Sequence, residues 1–75
     1  METFLDMVHL NVWAQVRNIG AQEALARRLR DFGFVPGTRV CCRYRDPTGH
    51  VTALEVRGAV IALRTSDLHT IEVIV

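Results

Sequence analysis

The chain has 75 residues, which limits it to a single domain over residues 1–75 with a radius of about 11 Å if compact. Hydrophobic residues make up 49% and charged residues 23%, the balance of a globular protein rather than a disordered one or a disulfide scaffold. Nine basic residues against eight acidic ones leave a formal net charge of +1, too little for a protein whose main task is coating nucleic acid.

The longest apolar run, residues 59–63, falls far short of the roughly 20 residues that cross a bilayer. The N-terminus also lacks the basic start of an export signal, so a cytoplasmic location without membrane insertion is expected. The two cysteines, Cys41 and Cys42, are adjacent. Neighbours in a strand point to opposite faces and cannot readily bridge each other, which fits a reducing compartment.

In residues 12–19 the alternation of Val12, Ala14 and Val16 with Trp13, Gln15 and Arg17 predicts a half-buried first strand. From Ala21 the period lengthens: Ala21, Leu25, Leu29 and Phe32 recur at helical spacing and predict a short amphipathic helix. Glu23 with Arg27, and Arg27 with Asp31, are opposite charges four apart on that helix. Gly33 supplies the left-handed residue that ends it, with Phe34 folding back on Leu29 as in a Schellman cap. Val35-Pro36-Gly37-Thr38 has the chemistry of a type II turn.

A second strand is expected at residues 38–45, with Val40, Cys42 and Tyr44 inward and Arg39, Cys41, Arg43 and Arg45 outward. Asp46-Pro47-Thr48-Gly49 reads as a turn, followed by a third strand around Leu54 and Val56 and a tight corner at Gly58. Residues 60–64 read as a fourth strand with Ile61 and Leu63 inward, residues 66–69 as one helical turn capped by Ser66, and residues 71–75 as a last strand. The fold class is therefore mainly β with one helix, five short strands favouring a small partly open barrel.

The segment Leu25-Ala-Arg-Arg-Leu29-Arg-Asp-Phe-Gly33-Phe-Val-Pro36-Gly37-Thr-Arg-Val40, with Leu54-Glu-Val56-Arg57-Gly58-Ala-Val-Ile-Ala62-Leu63-Arg64 and the ending Ile71-Glu72-Val73, closely resembles the FeoA domain. The likeness runs over residues 12–75 in one register. It implies a small SH3-like β-barrel and a cytosolic accessory protein of FeoB, the membrane ferrous-iron transporter that carries a GTPase domain. Two departures stand out. His9-Leu10-Asn11 replaces the family's opening Leu-Lys-Pro-Gly turn, where Asn11 can still adopt positive φ, and Pro47-Thr48-Gly49-His50-Val51 replaces its Pro-Leu-Gly-Asp-Pro turn.

No phosphate-binding loop, zinc-protease helix or nucleophile elbow is present, so no catalytic residues and no cofactor are expected. His9, His50, His69, Cys41 and Cys42 have no ligand-pair spacing, so no metal site is expected, and Cys42 reads as a small buried hydrophobe. Six arginines between residues 27 and 45 face one acid, Asp31. They suit a solvated face, an acidic protein partner or nucleic acid. Tyr44 reads as inward and no row of exposed aromatics accompanies the charge, so nucleic acid is not expected. Trp13 lies out of phase with the inward residues of its strand, which predicts either exposure or a place over the helix. The partner-binding set is accordingly Arg27, Arg28, Arg30, Phe34 and Trp13, directed at the FeoB-like transporter or its GTPase domain, with self-association left open. The alternative is a nucleic-acid-binding or metal-responsive regulatory module acting with a partner.

Overall fold

A computed structural model describes residues 1–75. Six strands, β1 (Glu2–Phe4), β2 (Trp13–Ile19), β3 (Arg39–Arg45), β4 (Val51–Val56), β5 (Ala59–Arg64) and β6 (Ile71–Ile74), are joined by helix α1 (Glu23–Asp31), helix α2 (Thr65–Leu68) and a 3-10 turn at Leu5–Met7. The strands form one antiparallel sheet in the order β1-β6-β2-β3-β4-β5. This sheet is open, with β1 and β5 at its edges, so the partly open SH3-like barrel expected from the sequence is an open six-stranded sheet. The first strand of the chain directs its pairing to β6, Glu2 facing Ile74 and Phe4 facing Glu72, and no strand pairs with the outer edge of β5.

One face of the sheet builds the core. Val16, Val40, Cys42, Leu54, Val56 and Val73 from the strands meet Leu29 of α1, Phe34, Leu68 and Leu5 in one buried cluster. Each such side chain is worth about 1.5–3 kcal/mol when fully buried. A helix of nine residues is shorter than the roughly 12–15 that stand alone in water, so α1 depends on this packing. It buries Ala26 and Leu29, while Phe32 is 42% exposed and falls outside the face expected for it. The chain reverses at Gly33, so it is Phe34 that enters the core.

The cap has Schellman geometry. The Phe34 N–H donates to the Leu29 carbonyl at 3.0 Å, and the Gly33 N–H to that of Arg30 at 2.9 Å. Gly33 has φ of 107°, and a Cβ built there would lie 2.8 Å from Cδ of Arg57, whose side chain crosses it. Glycine is thus required by backbone conformation, whereas the exposed Arg57 side chain can swing aside to make room. The expected pairs of Arg27 with Glu23 and Asp31 do not form; Glu23 instead accepts from Arg30 at 3.0 Å. Gly37, with φ of 94°, completes the type II turn through a 3.0 Å bond from the Thr38 N–H to the Val35 carbonyl.

Strand β3 departs from simple alternation. Cys42 faces Leu54 but Tyr44 faces Ala53, a bulge that puts an extra residue on β3. Beyond it the faces swap: Tyr44 is 57% exposed, and Arg45 turns inward to donate to the carbonyls of Asp6 and Val8, both at 3.1 Å. The inward Tyr44 and outward Arg45 are corrected accordingly. Cys41 keeps its outward phase yet is fully buried, because its cross-strand neighbours cover it.

The 46–49 turn is tied by Asp46, whose carboxylate accepts from the Thr48 hydroxyl at 2.8 Å and the Val51 N–H at 3.2 Å. The Thr48 bond foremost, with backbone N–H groups adding, holds this carboxyl below its ordinary value. The β4–β5 hairpin turns on Arg57 and Gly58, both at positive φ as a type I′ turn requires. Ser66 does not cap α2; Arg64 holds that position, and its Nε donates to Asp67 at 3.2 Å.

Candidate functional site

Antiparallel partners share a face, so the register assembles the side of the sheet turned away from the core. Trp13 on β2 faces Cys41 on β3, Cys41 faces Glu55 on β4, and Glu55 faces Val60 on β5. Gln15 faces Arg39 on one side of this row, and Tyr44 faces Ala53 on the other. Trp13 is 39% exposed, which places it on the outer face and not over the helix.

Two guanidiniums lie over its ring, Arg39 with Cζ 5.0 Å from the centroid and Arg43 at 5.2 Å. Arg43 is pinned: Nε and Nη2 donate to Glu55 Oε1 at 3.2 and 3.0 Å, and Nη1 donates to Asn11 Oδ1 at 3.1 Å. Asn11 reaches that position with φ of 66°, the turn conformation expected of it. Cys41, paired in register with Trp13 and Glu55, is fully buried.

The structure does not gather the sequence-derived partner set into one surface. Arg27, Arg28 and Arg30 are exposed on α1, the helix that packs on the core side of the sheet through Leu29. Trp13 lies on the opposite face of β2 from Ala14 and Val16. Phe34 is fully buried and can touch no partner, a correction that follows from its role in the helix cap. The arginines beside Trp13 come from β3. The outward phase of Arg39 and Arg43 was legible, but β2 and β3 are separated by α1, so no local turn announces their register.

No three His, Cys, Asp or Glu side chains converge on one point. His69 pairs through Nδ1 with the Asp6 carboxylate at 3.0 Å and packs against Phe4 at 5.0 Å between ring centroids. Cys42 places its Sγ 3.8 Å from the Leu5 carbonyl. Burial pushes its thiol up, and Arg45 draws it only partway back. Near the chain ends a cleft of about 150 Å³ is lined mainly by apolar groups, among them Met1, Met7, Val12 and Val75. No helix is long and apolar enough to cross a membrane.

A short helix packed on one face of a small, open antiparallel sheet defines a mainly β, SH3-like protein. The chain belongs to the FeoA domain family, whose family model matches residues 4–75. The FeoA-like protein of Clostridium acetobutylicum is similar to it at 30% identity and a TM-score of 0.89, over 99% of this chain and 86% of that one. The zinc-complexed FeoA of Stenotrophomonas maltophilia matches at 32% identity and a TM-score of 0.83, over 95% and 88% of the two chains. That protein is described as a procaryotic SH3 domain protein and a candidate activating factor of ferrous iron transport. A manganese-dependent transcriptional repressor shares the fold alone, at 17% identity and a TM-score of 0.88, with this chain spanning 36% of its length. No curated protein sequence matches the chain.

Proposed function

We propose that this chain is a cytoplasmic accessory protein of ferrous iron uptake, a single FeoA unit that binds the FeoB transporter or its GTPase domain and has no chemistry of its own. The supporting observation is the family match over residues 4–75, to a family linked to ferrous iron transport. A net charge of +1 made from nine arginines suits a transient contact with an acidic protein surface, because the planar guanidinium meets carboxylates bidentately.

The test is co-purification with the cytosolic part of FeoB, combined with ferrous iron uptake in cells lacking the chain. Retention on the FeoB domain, with uptake restored by the wild-type gene, is expected. No retention together with unchanged uptake in the deleted strain would refute the reading.

A second reading has one observation behind it, the shared fold with manganese-dependent repressors. It makes the chain a regulatory module that acts with a partner supplying the DNA-binding element and the metal ligands. Capture of a transcription factor, with no retention on FeoB, would favour it.

A further inference from the structure

The outer face of the sheet joins exposed apolar area to an unspent cation. Val60, at the far end of the row that contains Trp13, is 66% exposed, and Tyr44, beside that row, 57%. The two arginines at the indole differ in what they have left to give. Arg43 has its donors committed to Glu55 and Asn11. The Arg39 guanidinium makes no hydrogen bond and no ion pair, and only lies over the ring of Trp13. Stacking engages the flat face of a guanidinium and leaves the N–H edge free, already oriented for a planar acceptor.

We infer that this face docks an acidic segment of a protein partner. One carboxylate takes the free edge of Arg39, and apolar side chains spread along the same segment land on Tyr44, Val60 and the exposed part of Trp13. Charge complementarity selects this occupant: Arg39 and Arg43 against Glu55 leave one uncompensated positive charge, which suits a carboxylate or two and not a polyphosphate backbone. A nucleobase is disfavoured as well, since the indole it would stack on already carries two guanidiniums. The inference deepens the transporter reading by naming the docking surface, and it rests on that reading only for the identity of the partner.

Trp13 is the single tryptophan, so a ¹⁵N-labelled sample has one indole N–H signal that reports on the site. Three unlabelled probes are titrated: a capped hexapeptide alternating leucine with glutamate, a single-stranded oligonucleotide, and the FeoB cytosolic domain. The peptide is expected to shift the indole and the Arg39 Nε–H signals, more strongly at about 20 mM than at about 300 mM salt. Arg39→Gln, an exposed change that leaves the amide spectrum dispersed, is expected to weaken binding at least about fivefold, while Arg27→Gln with Arg28→Gln leaves it unaltered.

An indole signal that the peptide leaves in place, wild-type affinity in Arg39→Gln, or a stronger response to the oligonucleotide would each overturn the inference. If the FeoB domain binds while the indole stays fixed with every probe, the transporter reading stands and this surface is wrong. If the peptide binds at Trp13 and the FeoB domain does not bind at all, the surface stands and the transporter reading falls.

Discussion

The two faces of the sheet are written into the same strands, residue by residue, and they differ in kind. On the inner face Val16, Val40, Leu54, Val56 and Val73 are essentially excluded from water and close over Phe34 and Leu29. On the outer face Trp13, Tyr44 and Val60 remain between 39% and 66% exposed, and polar groups fill the gaps between them. The inner side chains gain their free energy on folding. The outer ones keep much of theirs in reserve, because their apolar area still faces water. In a chain of this length, with stability of about 4–11 kcal/mol, a single core side chain is a large share of the total.

The largest effect is therefore expected at Phe34. Phe34→Ala should cost about 3–5 kcal/mol, enough to leave much of the population unfolded, as read by urea denaturation. Gly33→Val comes next at about 2–4 kcal/mol, because a β-branched residue is forced to positive φ and must displace Arg57. A melting temperature within a degree or two of wild type would remove the cap from the account.

Trp13→Ala tests the outer face. Its cost should be about 1 kcal/mol or less, as for substitutions outside the core, while its chemical effect should be large. Cys41 is fully buried in the wild-type protein and should resist a thiol reagent until unfolding. Removing the indole should open it to labelling, with Cys42 still protected; equal rates for wild type and variant would show that Trp13 is not the cover. The smallest effect is one of pH. Burial raises the Cys42 thiol above its ordinary value of 9.0, so the folded state holds that proton more tightly than the unfolded state. Its contribution is intact below pH 9 and is lost as the pH rises further, and the difference in melting temperature between wild type and Cys42→Ala should shrink over that range.

Much of the inner face was legible because its signals are local. The apolar alternation in β2 and β4, the Gly33-Phe34 cap and the Pro36-Gly37 turn each follow from a few adjacent residues. What escaped depends on distant parts of the chain. The strand Glu2–Phe4 is too short to show a period and exists by pairing with residues near the other end. The bulge in β3 leaves no mark in the order Cys42-Arg43-Tyr44, yet it exchanges the roles of Tyr44 and Arg45. The same limit applied to the site. Phase left Trp13 either exposed or over the helix, its two arginines are brought to it by register, and the burial of Cys41 needs the neighbouring strands as well.

The pairing of β1 with β6 also bears on how the chain could be rewired. The Met1 ammonium donates to the Val75 carbonyl at 2.8 Å, and the Val75 N–H returns a bond to the Met1 carbonyl at 2.9 Å. A short glycine-serine bridge could join these points without disturbing a core residue, and the exposed turn at Thr48-Gly49 offers a place to cut. In such a circular permutant the contacts between β1 and β6 become local in sequence, so their closure entropy falls, whereas β3 and β4 must find each other across the whole chain. Since β3 and β4 hold the buried Val40, Cys42, Leu54 and Val56, refolding should slow even if the final structure is the same.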